Sequence, residues 1–174
     1  MDSAPDASKP LLAAVRQQIG MLPNLMKVVG HSPAALEGYL ALNGALAKGQ
    51  LDAPLRERLA LGVAEFNGCD YCLSAHTYFG RHGAKLAQGE LDAARDFHAG
   101  EPRADAALRF ARRVAETQGR VSDADLASLR AAGFDDAGVI EIVANVALNV
   151  LTNYINNVTL TDIDFPKLAT RQAA

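Results

Sequence analysis

The chain has 174 residues, of which 49% are hydrophobic and 21% are charged, a composition that excludes a wholly disordered or fibrous protein. Its formal net charge of −3 lacks the basic excess typical of proteins that bind nucleic acid. It contains 33 alanines, which favour helix because alanine loses no side-chain entropy there.

From the apolar runs of the sequence we expect neither a membrane-spanning segment nor a secretory signal. No apolar run approaches the ~18 residues that a membrane helix needs. The polar stretch 1–9 lacks the apolar core of a signal peptide. We therefore expect a cytoplasmic protein without membrane or nucleic-acid partners.

The length predicts one domain. Residues 1–8 are expected to form a disordered leader, because their Pro, Ser and Asp residues have no apolar partners. The helical domain is predicted over 9–167, followed by a tail at 168–174.

Helix signals recur along the chain, and the alternation typical of strands does not. Predicted N-caps lie at Ser32, Asp52, Ser122 and Asp135, and glycines lie near most predicted ends. After Asp52, apolar residues recur at helical spacing at Leu55, Leu59, Val63 and Phe66. The fold class is therefore all-α, a bundle of about seven to eight helices.

The last predicted helix, residues 136–157, would be about 33 Å long and is apolar on most of its circumference. Such a helix is buried in a bundle or a subunit interface. One stripe carries amides, at Asn145, Asn149, Asn153 and Asn156. The stripe is either solvated or a row of buried hydrogen-bonding amides at a subunit contact.

Both cysteines lie in the segment Cys69-Asp-Tyr-Cys72, at the predicted start of a helix, and His76 follows one turn later. This spacing places the two sulfurs and the imidazole on one helix face. The sulfurs can approach disulfide distance, and the positive end of the helix favours thiolate over thiol. The pattern predicts a redox-active dithiol, with His76 as a proton acceptor for Cys72.

A carboxylate on the preceding helix would face the sulfurs, because the tight Asn67-Gly68 turn joins the two helices as a hairpin. Helix geometry does not choose between Glu57 and Glu65 for this place.

Two other interpretations of the cysteines are open. They are inert core residues, or they bind zinc together with His76 and a carboxylate. Structural zinc sites usually use two separated ligand pairs, and no second pair exists in this sequence.

The spacing of Glu57, Cys69, Cys72 and His76, preceded by Asn67-Gly68, resembles the alkyl hydroperoxidase D (AhpD)-like family of the carboxymuconolactone decarboxylase superfamily. The resemblance extends over about residues 10–167 and is strongest to the branch called peroxidase-related enzymes. In that branch the segments 147–153 and 164–166 also look familiar.

The resemblance implies a helical thiol peroxidase or disulfide reductase of antioxidant defence, assembled as a homotrimer or homohexamer. Cys72 would attack the hydroperoxide, Cys69 would be the more exposed resolving thiol, and Glu57 and His76 would relay protons. Of the two candidate carboxylates, the resemblance therefore implies Glu57 and not Glu65. Tyr71 stands where the best-known members carry His. One member of their proton relay is therefore either missing here or replaced by a phenol.

The implied reaction needs no flavin, haem or metal cofactor. Its implied partners are a hydroperoxide, a dithiol reductant such as a lipoyl protein or a thioredoxin-like protein, and a peroxiredoxin. The alternatives are a lyase resembling carboxymuconolactone decarboxylase, which does not depend on a cysteine pair, and a redox-sensing binding protein.

Overall fold

A computed structural model describes residues 4–171 and contains nine α-helices and no strand within that range. The helices are α1 (Lys9–Ile19), α2 (Asn24–Val29), α3 (Pro33–Leu46), α4 (Ala53–Phe66), α5 (Asp70–His82), α6 (Gln88–Arg95), α7 (Pro102–Thr117), α8 (Asp123–Ala131) and α9 (Asp136–Thr159). The all-α prediction is confirmed.

The predicted N-caps are confirmed. Ser32 accepts a hydrogen bond from Ala35 N, and Asp52 accepts one from Leu55 N. Ser122 forms the expected capping box, and Asp135 accepts from Gly138 N at the start of α9. These side chains satisfy backbone donors that have no partner inside their helices, so the helices begin where the sequence predicts.

Helix α4 is the centre of the bundle and packs against α5, α6, α7 and α9. Leu59 and Val63 face a core shared with α7 and α9, whereas Leu61 and Ala64 face a core that contains both cysteines. The sequence predicts one apolar stripe here, yet every residue from 59 to 65 is buried. Phe66, the last member of the predicted stripe, is instead 37% exposed.

The prediction of a disordered leader is wrong for the described part of residues 1–8. Asp6–Ser8 forms a 3-10 turn that leads into α1, and the Ser8 side chain is buried. Residues 1–3 of the predicted leader and residues 172–174 of the predicted tail lie outside the described range.

Residues 160–171, called here the C-terminal segment, have no regular structure and run back across α5. Leu168 N donates to Ser74 Oγ at 2.9 Å, and Thr170 N donates to Asp70 Oδ1 at 2.7 Å. Phe165 packs edge-on against Tyr71. The described part of the predicted tail, residues 168–171, is therefore packed against α5.

Helix α9 has two unlike faces. Among residues 4–171 it is the one helix that is long and apolar enough to match a membrane span. However, 44% of its most apolar 18-residue stretch is buried within the protein. The four stripe asparagines are buried at 3%, 7%, 0% and 3% exposure, namely Asn145, Asn149, Asn153 and Asn156. The solvated-stripe alternative is wrong, and the amides lie inside the chain's own bundle rather than at a subunit contact.

Replacing Gly62 by alanine tests the close packing of α4. A Cβ at this position would lie 2.7 Å from the Phe97 ring and 3.0 Å from Ala94 O. We expect Gly62→Ala to destabilise the protein by about 1–3 kcal/mol, because the buried ring must shift. The measurement is the free energy of unfolding in urea.

The matched control is Gly38→Ala in α3, where a Cβ meets nothing within 4 Å. This substitution is expected to stabilise the protein by about 0.5–1 kcal/mol, through helix propensity alone. Equal effects of the two substitutions would contradict the packing argument.

Candidate active site

The site begins at the turn between α4 and α5. Gly68 adopts a left-handed conformation with φ of 62°, and Cys69 N donates to Ala64 O at 2.9 Å. Glycine adopts this conformation without the Cβ penalty that other residues incur. The chain therefore reverses at once, and Cys69 becomes the N-cap of α5.

The two sulfurs share the first turn of α5. Cys69 Sγ accepts a hydrogen bond from Cys72 N at 3.3 Å, and both cysteines are free thiols. Cys69 is 0% exposed and Cys72 is 2% exposed. The expectation of a more exposed Cys69 is therefore wrong, because the capping geometry turns its sulfur back over the helix and into the apolar core.

The sulfurs have opposite acidities. A hydrogen bond from the Cys69 thiol is the largest influence on Cys72 and lowers its pKa. Burial opposes this effect, and the charge of His76 and the amides of Asn156 and Asn153 lower the pKa further. The same hydrogen bond, followed by burial, raises the pKa of Cys69. These surroundings therefore favour ionisation at Cys72 over ionisation at Cys69.

The hairpin brings Glu57 to His76. His76 Nδ1 and Glu57 Oε2 are 2.8 Å apart, and both side chains are about three-quarters buried. Burial is the largest influence on the His76 pKa and lowers it, but the Glu57 carboxylate outweighs burial and raises the pKa above its usual value. Glu65 lies elsewhere and binds Arg95 at 2.7 Å. The structure thus brings Glu57, not Glu65, to the histidine.

Helix α9 contributes a residue that contacts the Cys72 sulfur. Asn156 Nδ2 donates to Cys72 Sγ at 3.2 Å. The spacing of the asparagines is visible in the sequence. The contact of Asn156 with Cys72, 84 residues away, arises only from tertiary packing.

A cavity of about 90 Å³ opens at Cys72 and His76. Its polar lining includes residues that the sequence analysis did not assign to the site, Tyr39, Asn43 and Arg56. Burial, then the charges of Cys72 and Glu57, raises the pKa of Tyr39 to about 12, so its hydroxyl stays protonated as a donor. The one sequence signal is that Tyr39 and Asn43 stand at i, i+4 spacing in a helix that is otherwise apolar except for Glu37.

A second cavity of about 160 Å³ shares Tyr39, Asn43 and His76 with the first. Its remaining lining is largely apolar and includes Val15, Leu40 and the Phe79 and Phe165 rings. A small polar chamber at the sulfur therefore adjoins a larger apolar one.

Tyr71, between the cysteines, holds the C-terminal segment. Its hydroxyl donates to Asp164 Oδ1 at 2.9 Å and accepts from Leu25 N at 3.1 Å. Burial raises its pKa well above the usual value. The hydroxyl is thus committed to two structural hydrogen bonds, so the phenol does not replace a relay histidine.

The described residues contain no cluster of side chains suited to bind a metal ion. Within residues 4–171, no three His, Cys, Asp or Glu side chains are grouped so that they could hold a metal ion.

Replacing Glu57 by glutamine tests the electrostatics of the pair. Without the carboxylate, burial dominates, and the pKa of His76 should fall below 6.5. The measurement is an NMR titration of the His76 ring. In Glu65→Gln, the control, the pKa of His76 should stay raised.

The same pair makes stability depend on pH. A raised folded-state pKa contributes stability that is complete below the unfolded pKa and is lost as pH rises through the folded value. The difference in unfolding free energy between wild type and Glu57→Gln should therefore shrink with rising pH. An unchanged His76 pKa in Glu57→Gln would contradict the argument.

Comparison with known proteins shows which proteins this chain resembles. The profile of the carboxymuconolactone decarboxylase family matches residues 33–117, which contain Glu57, Cys69, Cys72 and His76. An uncharacterized protein of Haemophilus influenzae is 49% identical over 45 residues, which is 25% of this chain. The matched segment spans 40% of the relative's length.

Solved structures share the fold over nearly the whole chain. The peroxidase-related protein of Ralstonia eutropha JMP134, with an alkylhydroperoxidase AhpD core, is 27% identical with a TM-score of 0.82, covering 95% of this chain and 88% of that one. A peroxidase-related protein of Silicibacter sp. TM1040 is 25% identical with a TM-score of 0.81, covering 93% and 87%.

The debrominase Bmp8, solved with 2,3,4-tribromopyrrole, is 20% identical with a TM-score of 0.74, covering 91% and 86% of the two chains. This likeness shows the fold alone, and it shows that the fold carries diverse chemistry. The chain is thus similar to the carboxymuconolactone decarboxylase family over residues 33–117 and to AhpD-like peroxidase-related structures over most of its length.

Proposed function

We propose that this chain is a dithiol peroxidase that reduces hydroperoxides with Cys72 and Cys69. Similarity to the carboxymuconolactone decarboxylase family and to an AhpD-like structure supports an antioxidant-related or carboxymuconolactone decarboxylase-like function in general. The single observation that carries the finer proposal is the geometry of the two adjacent sulfurs, in which Cys69 Sγ accepts from Cys72 N at 3.3 Å and Cys72 Sγ accepts from Asn156 Nδ2 at 3.2 Å. A peroxidase needs one thiolate nucleophile and one neighbouring thiol, and a lyase without a redox pair needs neither.

In the first step the Cys72 thiolate attacks the terminal oxygen of ROOH. An S–O bond forms, the O–O bond breaks, and the leaving alkoxide takes a proton from His76 to depart as ROH. Cys72 becomes a sulfenic acid, so sulfur is oxidised by the two electrons that the peroxide gains. Glu57 stabilises the protonated His76 that donates this proton.

In the second step Cys69 attacks Cys72 Sγ. The Cys69 proton passes to the Glu57–His76 pair, an S–S bond forms, and hydroxide leaves and is protonated to water. A lipoyl or thioredoxin-like dithiol in the cytoplasm then reduces the disulfide by exchange. The three-residue spacing and the shared helical turn make this closure a local event.

The two cavities favour a substrate with a polar end and an apolar body. The chamber of about 90 Å³ at Cys72 has the volume of about three water molecules, which suits a hydroperoxide group. The adjoining apolar chamber of about 160 Å³ accepts an organic substituent.

Peroxide treatment tests the proposal directly. Free-thiol titration after mild peroxide should fall from two thiols to none without intermolecular crosslinks. With dihydrolipoamide as donor, Cys72→Ser should abolish peroxide consumption, because it removes the nucleophile. Cys69→Ser should consume a single equivalent and then stop.

Two results would refute the dithiol mechanism. One is retention of both thiols after peroxide. The other is wild-type turnover in Cys72→Ser.

We further propose that α9 mediates homo-oligomer formation, as a trimer or hexamer. Its outer face is a row of exposed apolar residues at helical spacing, namely Ile140, Val143, Ala147, Leu151, Tyr154 and Val158. The row is about 27 Å long. A monomer would leave this apolar row in water, whereas a second copy would bury it.

Introducing charge into this outer face tests the assembly. Leu151 is 46% exposed, so Leu151→Glu should leave the fold intact and dissociate the oligomer. Sedimentation at micromolar concentration measures the mass. The control, Ala127→Glu, adds the same charge to an exposed position of α8 and should not change it. A wild-type species of 18.4 kDa would refute the oligomer.

A further inference from the structure

Two amides of α9 meet the Cys72 sulfur with half of their hydrogen-bonding groups unused. Asn153 and Asn156 are one helical turn apart and are 0% and 3% exposed. Asn156 Nδ2 donates to Cys72 Sγ at 3.2 Å, and Asn153 Oδ1 accepts from Asn67 Nδ2 at 2.9 Å. The other atom of each amide, Asn153 Nδ2 and Asn156 Oδ1, makes no well-formed hydrogen bond within residues 4–171, although the Asn153 amide lies near enough to Cys72 to lower the pKa of its thiol.

Buried polar atoms without partners are rare in native proteins, so this pair requires an explanation. One unused atom is a donor and the other is an acceptor, and the two residues share one face of α9. A hydroxyl group both accepts and donates, so a single hydroxyl placed between them would satisfy both. The reacting sulfur, Cys72 Sγ, is the neighbouring atom on which a hydroxyl can form.

We propose that Asn153 and Asn156 form a cradle for the sulfenic acid of Cys72, an inference that rests on the proposed peroxidase function. Before reaction, the Asn156 amide stabilises the thiolate. After oxygen transfer from ROOH to Sγ, the new S–O–H oxygen accepts from Asn153 Nδ2 and its proton is donated to Asn156 Oδ1. The O–O bond breaks and ROH leaves, as in the first step above.

The cradle has a chemical consequence for the fate of Cys72. Over-oxidation to sulfinic acid requires the sulfenic group to attack a second peroxide, and its deprotonated form is the better nucleophile. A proton held between the sulfenic oxygen and Asn156 Oδ1 keeps the group neutral. The sulfenic acid then persists until Cys69 displaces hydroxide.

The test uses the full chain with Cys69→Ser, which removes the resolving thiol and isolates the sulfenic acid. Asn153→Leu and Asn156→Leu remove the amides with little change of volume. The matched control is Asn157→Leu, on the same helix, because Asn157 is exposed and bonds only Asn67 O. Hydrogen peroxide is the oxidant, and mass spectrometry after dimedone trapping distinguishes sulfenic from sulfinic acid.

We expect Asn156→Leu to slow Cys72 oxidation at neutral pH about tenfold, since a hydrogen bond to a charged sulfur is lost. Its Cys72 alkylation profile should also move to higher pH, which a merely structural defect would not produce. Asn153→Leu should lower the trapped sulfenic acid about fivefold in favour of sulfinic acid. Asn153→Asp, which keeps the shape but lacks the donor, should act in the same direction if the leucine variant does not fold.

Rates and product ratios equal to those of Asn157→Leu would overturn the cradle, whereas the peroxidase proposal would stand. If Cys69→Ser with both amides intact forms no sulfenic acid and the wild type consumes no peroxide, the proposed function itself fails. The two failures are therefore distinguishable in one set of measurements.

Discussion

The reversal of the chain at Asn67-Gly68 is the constraint on which the candidate site depends. Because Gly68 takes a left-handed conformation, α5 begins immediately after α4 ends, and Cys69 becomes a helix cap. The same reversal lays α5 along α4, which brings Glu57 within 2.8 Å of His76. A longer or straighter connection would separate the sulfurs from the carboxylate, so one turn sets both the thiol chemistry and its proton relay.

The C-terminal segment fixes the helix that carries the thiols. It is bonded to Asp70, Tyr71 and Ser74, three residues that surround Cys72 in α5. Ordering these residues costs conformational entropy, which the Phe165 ring offsets by packing on the aromatic residues of α5. The hydrogen bonds hold α5 rigidly enough that Cys72 keeps its contact with Asn156, and they give Tyr71 a structural role in place of a catalytic one.

The sequence predicts those features that depend on local chemistry. Ser32, Asp52 and Asp135 cap helices as expected, because a cap is decided by a few neighbouring residues. The choice of Glu57 over Glu65 required a family resemblance, since both lie on one helix and only packing decides which faces α5. The burial of Cys69 and the contact of Asn156 with Cys72 join residues far apart in sequence, so no local pattern predicts them.

Helix α9 links the proposed chemistry to the proposed assembly, because residues of its inner and outer faces lie only two positions apart in the sequence. Asn156 on the inner face touches the sulfur, whereas Tyr154 on the outer face is 57% exposed. A helix moves as a rigid rod, so a shift of the outer face in a subunit interface also shifts the amides at Cys72. Amides must be held within a few tenths of an ångström to stabilise a thiolate. Packing of a second copy against α9 would therefore restrain the geometry at the sulfur, which gives the oligomer a physical reason to be the active form.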